Sequence, residues 1–333
     1  MVRALRVVVT ALCVLTLVGC ATSSPIPLKL EAFARIQSTR AHIAIPQEEI
    51  NVEVVRSTSG AAAAGILGAL IDVSVEANRA NKANLMIEPV RKQLADLDFR
   101  AEFDKKFRAA LVDLPALKIN QAEVTSQPYS VETLSHLRSS TPQDSLLTMS
   151  VDYKLSSDYR ILIVSGLVTL WQRGQEEAQY LGSYRYFSAP ISSKSGETAV
   201  RAWANNNAES IRAALREGLS ETIRMLKLDF VPKADTDQGD ALLGEDGKLK
   251  VVSVKTAVGR QKGGVTTSRV NELASKILAK DNDRIIFRAK AAGNLWVGNR
   301  YTVPGEIYST TTRQRFEAPD TAPSAVSSGK AKP

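Results

Sequence analysis

The chain has 333 residues, 43 Lys and Arg against 35 Asp and Glu, and a formal net charge of +8 at pH 7. Its only cysteines are Cys13 and Cys20 and its only histidines His42 and His136, too few and too scattered for a Cys/His metal centre, a catalytic Cys–His pair or a disulfide framework. Metal and cofactor chemistry are therefore not expected, and a length of this order with 44 % hydrophobic residues supports one substantial core.

In chain order, residues 1–19 come first. Arg3 and Arg6 precede an apolar run from Val7 to Val18 of about 12 residues. A transmembrane helix needs ~20 such residues, so the run reads as an export signal and not as a span. It ends in Leu17-Val18-Gly19-Cys20. That box resembles the lipobox of bacterial lipoproteins. The resemblance implies cleavage between Gly19 and Cys20, a diacylglycerol on the Cys20 thiol and acylation of the new amino terminus. Each buried methylene adds ~0.8 kcal/mol of membrane affinity, so two or three chains would anchor the protein firmly. The alternative is an ordinary thiol behind a soluble export signal. Ala21 stands where inner-membrane lipoproteins carry Asp. By the same resemblance the destination is the outer membrane, facing the periplasm, with the inner membrane as the alternative.

Residues 20–40, with Pro25 and Pro27, read as the acylated terminus and a short tether. A main α+β domain is expected over 41–231. It opens with a half-buried strand over 41–56, in which Ile50, Val52 and Val54 alternate with less apolar neighbours. A Gly/Ala-rich apolar segment follows at 60–75. As a helix it would carry small residues in two rows, Ala61, Gly65 and Ala69 beside Ala64 and Gly68, with Gly60 at its start. Such a face could pack between copies of the protein or insert shallowly in the bilayer, or it could be a buried helix of a soluble core. Each glycine weakens an isolated helix by up to ~1 kcal/mol, so some packing partner is required.

From Leu85 to Leu111 the spacing of Val90, Leu94, Phe99, Phe103 and Phe107 predicts an amphipathic helical region in one or two pieces, its aromatic stripe facing the core. A strand is expected around Ile119 and Val124, then a polar loop over 126–144 with a short helix near His136. Both histidines read as surface or loop residues. Residues 145–187 alternate as an antiparallel meander of three strands, the second reaching Trp171 and turning at Gly174, the third carrying Tyr180, Tyr184 and Tyr186 on one face. Such a row is ordinarily packing and less often a glycan platform. Ala199–Lys227 has the apolar spacing of one long helix. The expected fold is thus α+β, an antiparallel sheet packed by long helices.

Residues 20–231 hold 24 basic and 24 acidic side chains, whereas 232–333 hold 17 against 11. The mature excess of positive charge sits in the last third. A linker is read at 232–247, a small basic α+β module at 248–316 with a helix over Thr267–Lys280 and strands at 284–290 and 295–303, and a disordered tail at 317–333. The basic module could attract anionic lipid, lipopolysaccharide or an envelope protein, or merely keep the surface solvated. Nucleic acid is not expected in that compartment.

No catalytic constellation is recognisable. Gly259 to Gly264 has phosphate-loop spacing and is followed by Val265 and Thr266, but the lysine that should meet the phosphates is not in register, and no Gly-x-Ser-x-Gly elbow exists. The acyl anchor, α+β body and glycine-rich insertion are together similar in layout to curli-secretion-type channel lipoproteins, although Asp72 interrupts the candidate membrane strand. The pattern at Gly68 to Asp72 and Leu97 to Phe99 also resembles uncharacterised envelope lipoproteins. Three functions stay open: a non-enzymatic binding or scaffolding lipoprotein, which leads; an oligomeric assembly or secretion component using 60–71; and a cell-wall hydrolase or glycan-binding protein.

Overall fold

A computed structural model describes residues 26–53, 81–230, 275–281, 284–289, 296–297, 300–301 and 306–311. Gly19, Cys20 and the small-residue rows of Gly60, Ala61, Ala64, Gly65, Gly68 and Ala69 lie outside the described residues, as do the linker and the tail.

The fold is α+β. A mixed sheet is bordered by β3 (Ile119–Thr125), then β1 (Thr39–Ala44), β4 (Ser145–Leu155), β5 (Leu162–Gln172), β6 (Tyr180–Phe187), β11 (Ile307–Thr311), β8 (Arg284–Ala289) and β7 (Ser275–Lys280), with the short β2 (Asn51–Val52) beside the far end of β4. The meander of β4, β5 and β6 is antiparallel, as its alternation predicts. The flanks depart from that expectation. β1 runs parallel to both β3 and β4, and β11 runs parallel to β6.

The strand expected over 41–56 is two pieces. Pro46 follows β1, and lacking an N–H it cannot continue the ladder, so the chain leaves the sheet and rejoins β4 as β2. The helix expected over Thr267–Lys280 is also corrected: residues 275–280 pair antiparallel with β8. Helical spacing there yields to an open sheet edge, where each backbone group finds a partner. The strand read at 295–303 is the short pairing of β9 (Trp296–Val297) with β10 (Arg300–Tyr301). Of the described strands of the basic segment, β11, β8 and β7 join the sheet of the body through β6, whereas β9 and β10 pair only with each other.

One face of the sheet carries the helices. α1 (Leu30–Arg35), α2 (Glu88–Gln93), α3 (Phe99–Ala110) and α5 (Glu197–Asp229) surround a core in which Phe99, Phe103, Phe107, Trp203, Leu215 and Leu219 meet Met149, Val164, Val168 and Tyr184. Asp98 caps α3 by accepting from the Ala101 N–H at 2.9 Å. The region read from Leu85 to Leu111 is therefore helical but broken at Ile87 and again before Asp98. α5 is interrupted at Asn205–Ala208, where Asn206, Asn207 and Ala208 take φ of 52°, 55° and 56°. Asparagine tolerates that left-handed region better than most residues, which is how two adjacent asparagines break a helix whose apolar spacing is continuous.

The opposite face is reached by α4 (Val131–Ser140). A reciprocal cap holds its start: Ser130 Oγ accepts from Thr133 N–H at 3.1 Å and Thr133 Oγ1 from Ser130 N–H at 2.7 Å.

Candidate functional site

The tyrosine row of β6 and the carboxylates beside it are engaged inside the protein. The row of Tyr180, Tyr184 and Tyr186 is buried against α5 and is not a surface platform. Tyr184 donates to Tyr180, and Tyr180 donates to Asp229, which also pairs with Arg288. Burial and then the Asp229 charge push the Tyr180 hydroxyl well above its ordinary range; for Tyr184 burial leads too, so both remain protonated donors. One strand position along, Tyr186 donates to Glu217 at 2.8 Å and Arg284 donates to Glu217 at 2.5 Å while lying 4.6 Å over the Tyr186 ring. Ser309 donates to Glu221 at 2.6 Å. These pairs form a seam between α5 and β6, β8 and β11. Two arginines counted in the basic segment, Arg284 and Arg288, thus face the interior and are not available to an external partner.

His136 is exposed on α4, as expected, but His42 is not a surface residue. It stands in β1 at 8 % exposure, with Nδ1 3.0 Å from the Tyr129 hydroxyl, and that hydroxyl donates to the His42 carbonyl at 2.5 Å. Burial lowers its pKa, with Glu123 opposing and Arg40 reinforcing the shift. Tyr129 lies beside it, the two ring centres 5.6 Å apart. Among the described residues no group of three His, Cys, Asp or Glu side chains could hold a metal ion, and no helix is long and apolar enough to cross a membrane.

What the surface does offer is a cleft of about 370 Å³ where β4 begins and β5 ends, roofed by the last turns of α4. Trp171 stands half-buried there at the end of β5. The Arg138 guanidinium lies 4.3 Å from the centre of its ring, a contact worth ~0.5–2 kcal/mol depending on desolvation. Arg138 also donates to the carbonyls of Gln175 at 2.8 Å and Glu176 at 3.1 Å, which ties α4 to the turn after β5. Gly174 makes that turn with φ of 77°, a conformation side-chained residues rarely adopt. Arg173 donates from Nε to the Gln143 carbonyl at 3.1 Å and lies 3.5 Å from Asp144, which itself accepts from Ser38 at 3.0 Å.

Two polar atoms in this wall stand without partners. Gln143 donates from its amide nitrogen to Gln121 at 3.2 Å, but its Oε1 is buried and unpaired, and so is the hydroxyl of Ser145, a residue 1 % exposed. An unmet buried polar group costs ~1–3 kcal/mol, and Ser145 shares the strand face of Leu147 and Met149, opposite that of Trp171, so neither atom is presented to the cleft.

Sequence reasoning placed Trp171 as the end of a strand and Gly174 as a turn, but it did not gather Arg138, Gln143, Ser145 and Arg173 around them. The available signal was a tryptophan at a strand terminus beside a Gly turn. It becomes a site only when α4 folds over it.

No family model and no curated protein matches the chain. Three solved structures are similar to it: a Xanthomonas campestris protein assigned to DUF330, at 12 % identity and a TM-score of 0.25 over 63 % of this chain and 89 % of that one; a hypothetical Chlamydia trachomatis protein, at 9 % and 0.22 over 56 % and 95 %; and a PelC dodecamer from Paraburkholderia phytofirmans, at 13 % and 0.20 over 60 % and 91 %. At such scores the likeness carries no argument, and the functional reading rests on the residues of this chain.

Proposed function

We propose that this chain is an envelope lipoprotein, anchored in the outer membrane through acylated Cys20 and facing the periplasm, which works by binding a ligand or partner at the cleft between α4 and the β4–β5 end and not by catalysis. The observation that carries the binding reading is the open cleft at the β4–β5 end, with Arg138 held over Trp171 and the half-exposed Arg173 at its lip. The lipid on Cys20 is its only covalent group in this reading, and the anchor itself is inferred from the Leu17 to Cys20 box. The inward aim of Arg284 and Arg288 favours the cleft over the basic segment as the contact surface, because those two cations are spent on Glu217 and Asp229.

The test is complementation of a chromosomal deletion scored by vancomycin and bile-salt sensitivity. Variants Trp171→Ala and Arg173→Ala should fractionate with the outer membrane at normal abundance yet behave as the deletion, while His136→Ala behaves as the wild type. Full complementation by both cleft variants would sink the reading. Labelled palmitate should enter the wild type and not Cys20→Ser.

A further inference from the structure

We propose that the apolar groove between residues 81–89 and the first half of α5 is the seat of the Gly/Ala-rich segment 60–71 of the same chain. The inference goes beyond the binding reading and uses neither the cleft under α4 nor the anchor at Cys20.

The groove has a volume of about 650 Å³, and its apolar lining is Leu85, Met86, Pro89, Val200 and Ala204. Val200 is 2 % exposed, whereas Leu85 and Met86 are 73 % and 40 % exposed. One exposed leucine is ordinary on a protein surface. Two adjacent large apolar side chains that open on one groove make a surface shaped for an apolar occupant.

The course of the chain points to that occupant. Residues 54–80 lie outside the described residues, and the chain returns at Asn81, next to Lys82 at the groove rim and one helical turn before Leu85. Residues 60–71 consist of glycine, alanine, isoleucine and leucine alone. The connection 72–80 reaches ~30 Å when extended, ample for the run to fold back on Leu85. So short a link holds the run near the groove at an effective concentration in the millimolar range, which favours it over a second copy.

Charge and side-chain size agree. Arg201 on the rim is paired with Glu197 at 2.6 Å, so its guanidinium is already engaged and an anionic amphiphile gains little there. An uncharged occupant leaves that pair undisturbed. Alanine and glycine let one backbone approach another closely. Gly60, Gly65 and Gly68 each weaken an isolated helix, and the groove supplies the packing partner that they make necessary.

The experiment is cross-linking of the full chain with a short bismaleimide. Leu85→Cys is combined in turn with Ile66→Cys, Leu67→Cys, Gly68→Cys, Ala69→Cys and Leu70→Cys, each beside its single-cysteine controls, which account for Cys20. Products are read as joined tryptic peptides, since Arg79 and Lys82 lie between the two positions. A tethered segment collides with Leu85 even without docking, so the dependence on position decides. The expected result is a product of monomer size whose yield rises and falls along 66–70 with the period of a helix or a strand. Met86→Glu, at an exposed position, should lower the best yield about tenfold by setting an unpaired charge in the groove. Equal yields at all positions, or a yield indifferent to Met86→Glu, overturn the proposal. So do products of dimer size alone, which give the groove to a second copy, and the absence of any product, which gives it to an occupant other than this segment.

Discussion

Arg288 in β8 closes a buried ion pair with Asp229 in the last turn of α5, so a strand from the basic third of the chain is fastened to the end of the body's longest helix. The Asp229 side chain is 8 % exposed and also accepts from Tyr180. Removing one member of such a pair leaves an uncompensated charge, which costs far more than the pair contributes over an apolar substitute. Arg288→Leu should therefore destabilise the protein by ~3 kcal/mol, read from the urea midpoint. Asp229→Asn keeps an acceptor for Tyr180 and should cost less. Equal midpoints for wild type and Arg288→Leu would show that the seam does not hold these strands.

Gly218 faces the sheet from α5 where a methyl group has no room. A Cβ there would come within 2.6 Å of Val164 and 2.9 Å of the Tyr186 ring. Alanine would gain up to ~1 kcal/mol of helix propensity, but the overpacking costs ~1–3 kcal/mol. Gly218→Ala should lower the melting temperature and Gly218→Val should lower it further; a rise in either would contradict this close approach.

His42 makes stability depend on pH. Its folded pKa is depressed from 6.5 by burial, so the unfolded chain binds the proton first. Its contribution is fully present above the unfolded value of 6.5 and is lost as pH falls from there through the lowered folded value, since stability rises with pH wherever the unfolded state holds more protons. Glu123 and Arg40 face the same imidazole and pull in opposite directions. Urea midpoints of the wild type should fall on acidification below pH 6.5 more steeply than those of His42→Gln; parallel curves would assign the slope to other groups.

Ser130 and Thr133 cap the helix that roofs the cleft. Ser130→Ala should cost ~1 kcal/mol of stability. Because Arg138 reaches Trp171 from the last turn of this helix, the same substitution should also speed hydrogen exchange across 131–140 while that of β4 and β5 stays unchanged. Uniform acceleration everywhere would mean that α4 does not open on its own.

The local elements were largely legible. Phe99, Phe103 and Phe107 recur every fourth residue and face the core together; Leu147, Met149, Val151 and Tyr153 alternate and do the same. Those periods are properties of neighbours along the chain. The buried place of His42 was not legible, because its strand is short and only β3 and β4 on either side, with Tyr129 over it, exclude water. The cleft was half legible for the same reason: Trp171 and Gly174 sit three residues apart, whereas Arg138 arrives from another element.

By itself the sequence determined the helices and strands that repeat strongly, the absence of a Cys/His centre and the expectation of a lipid at Cys20. Only the tertiary structure decided that β1 lies parallel between β3 and β4, that 275–280 is a strand, that Arg284 and Arg288 turn inward, and that Arg138 covers Trp171. Periodicity specifies which side of an element is apolar. It does not specify which edge that element will pair with, because that choice depends on backbone groups and buried charges brought together from positions such as Asp229 and Arg288, distant in the chain and adjacent only once the sheet has formed.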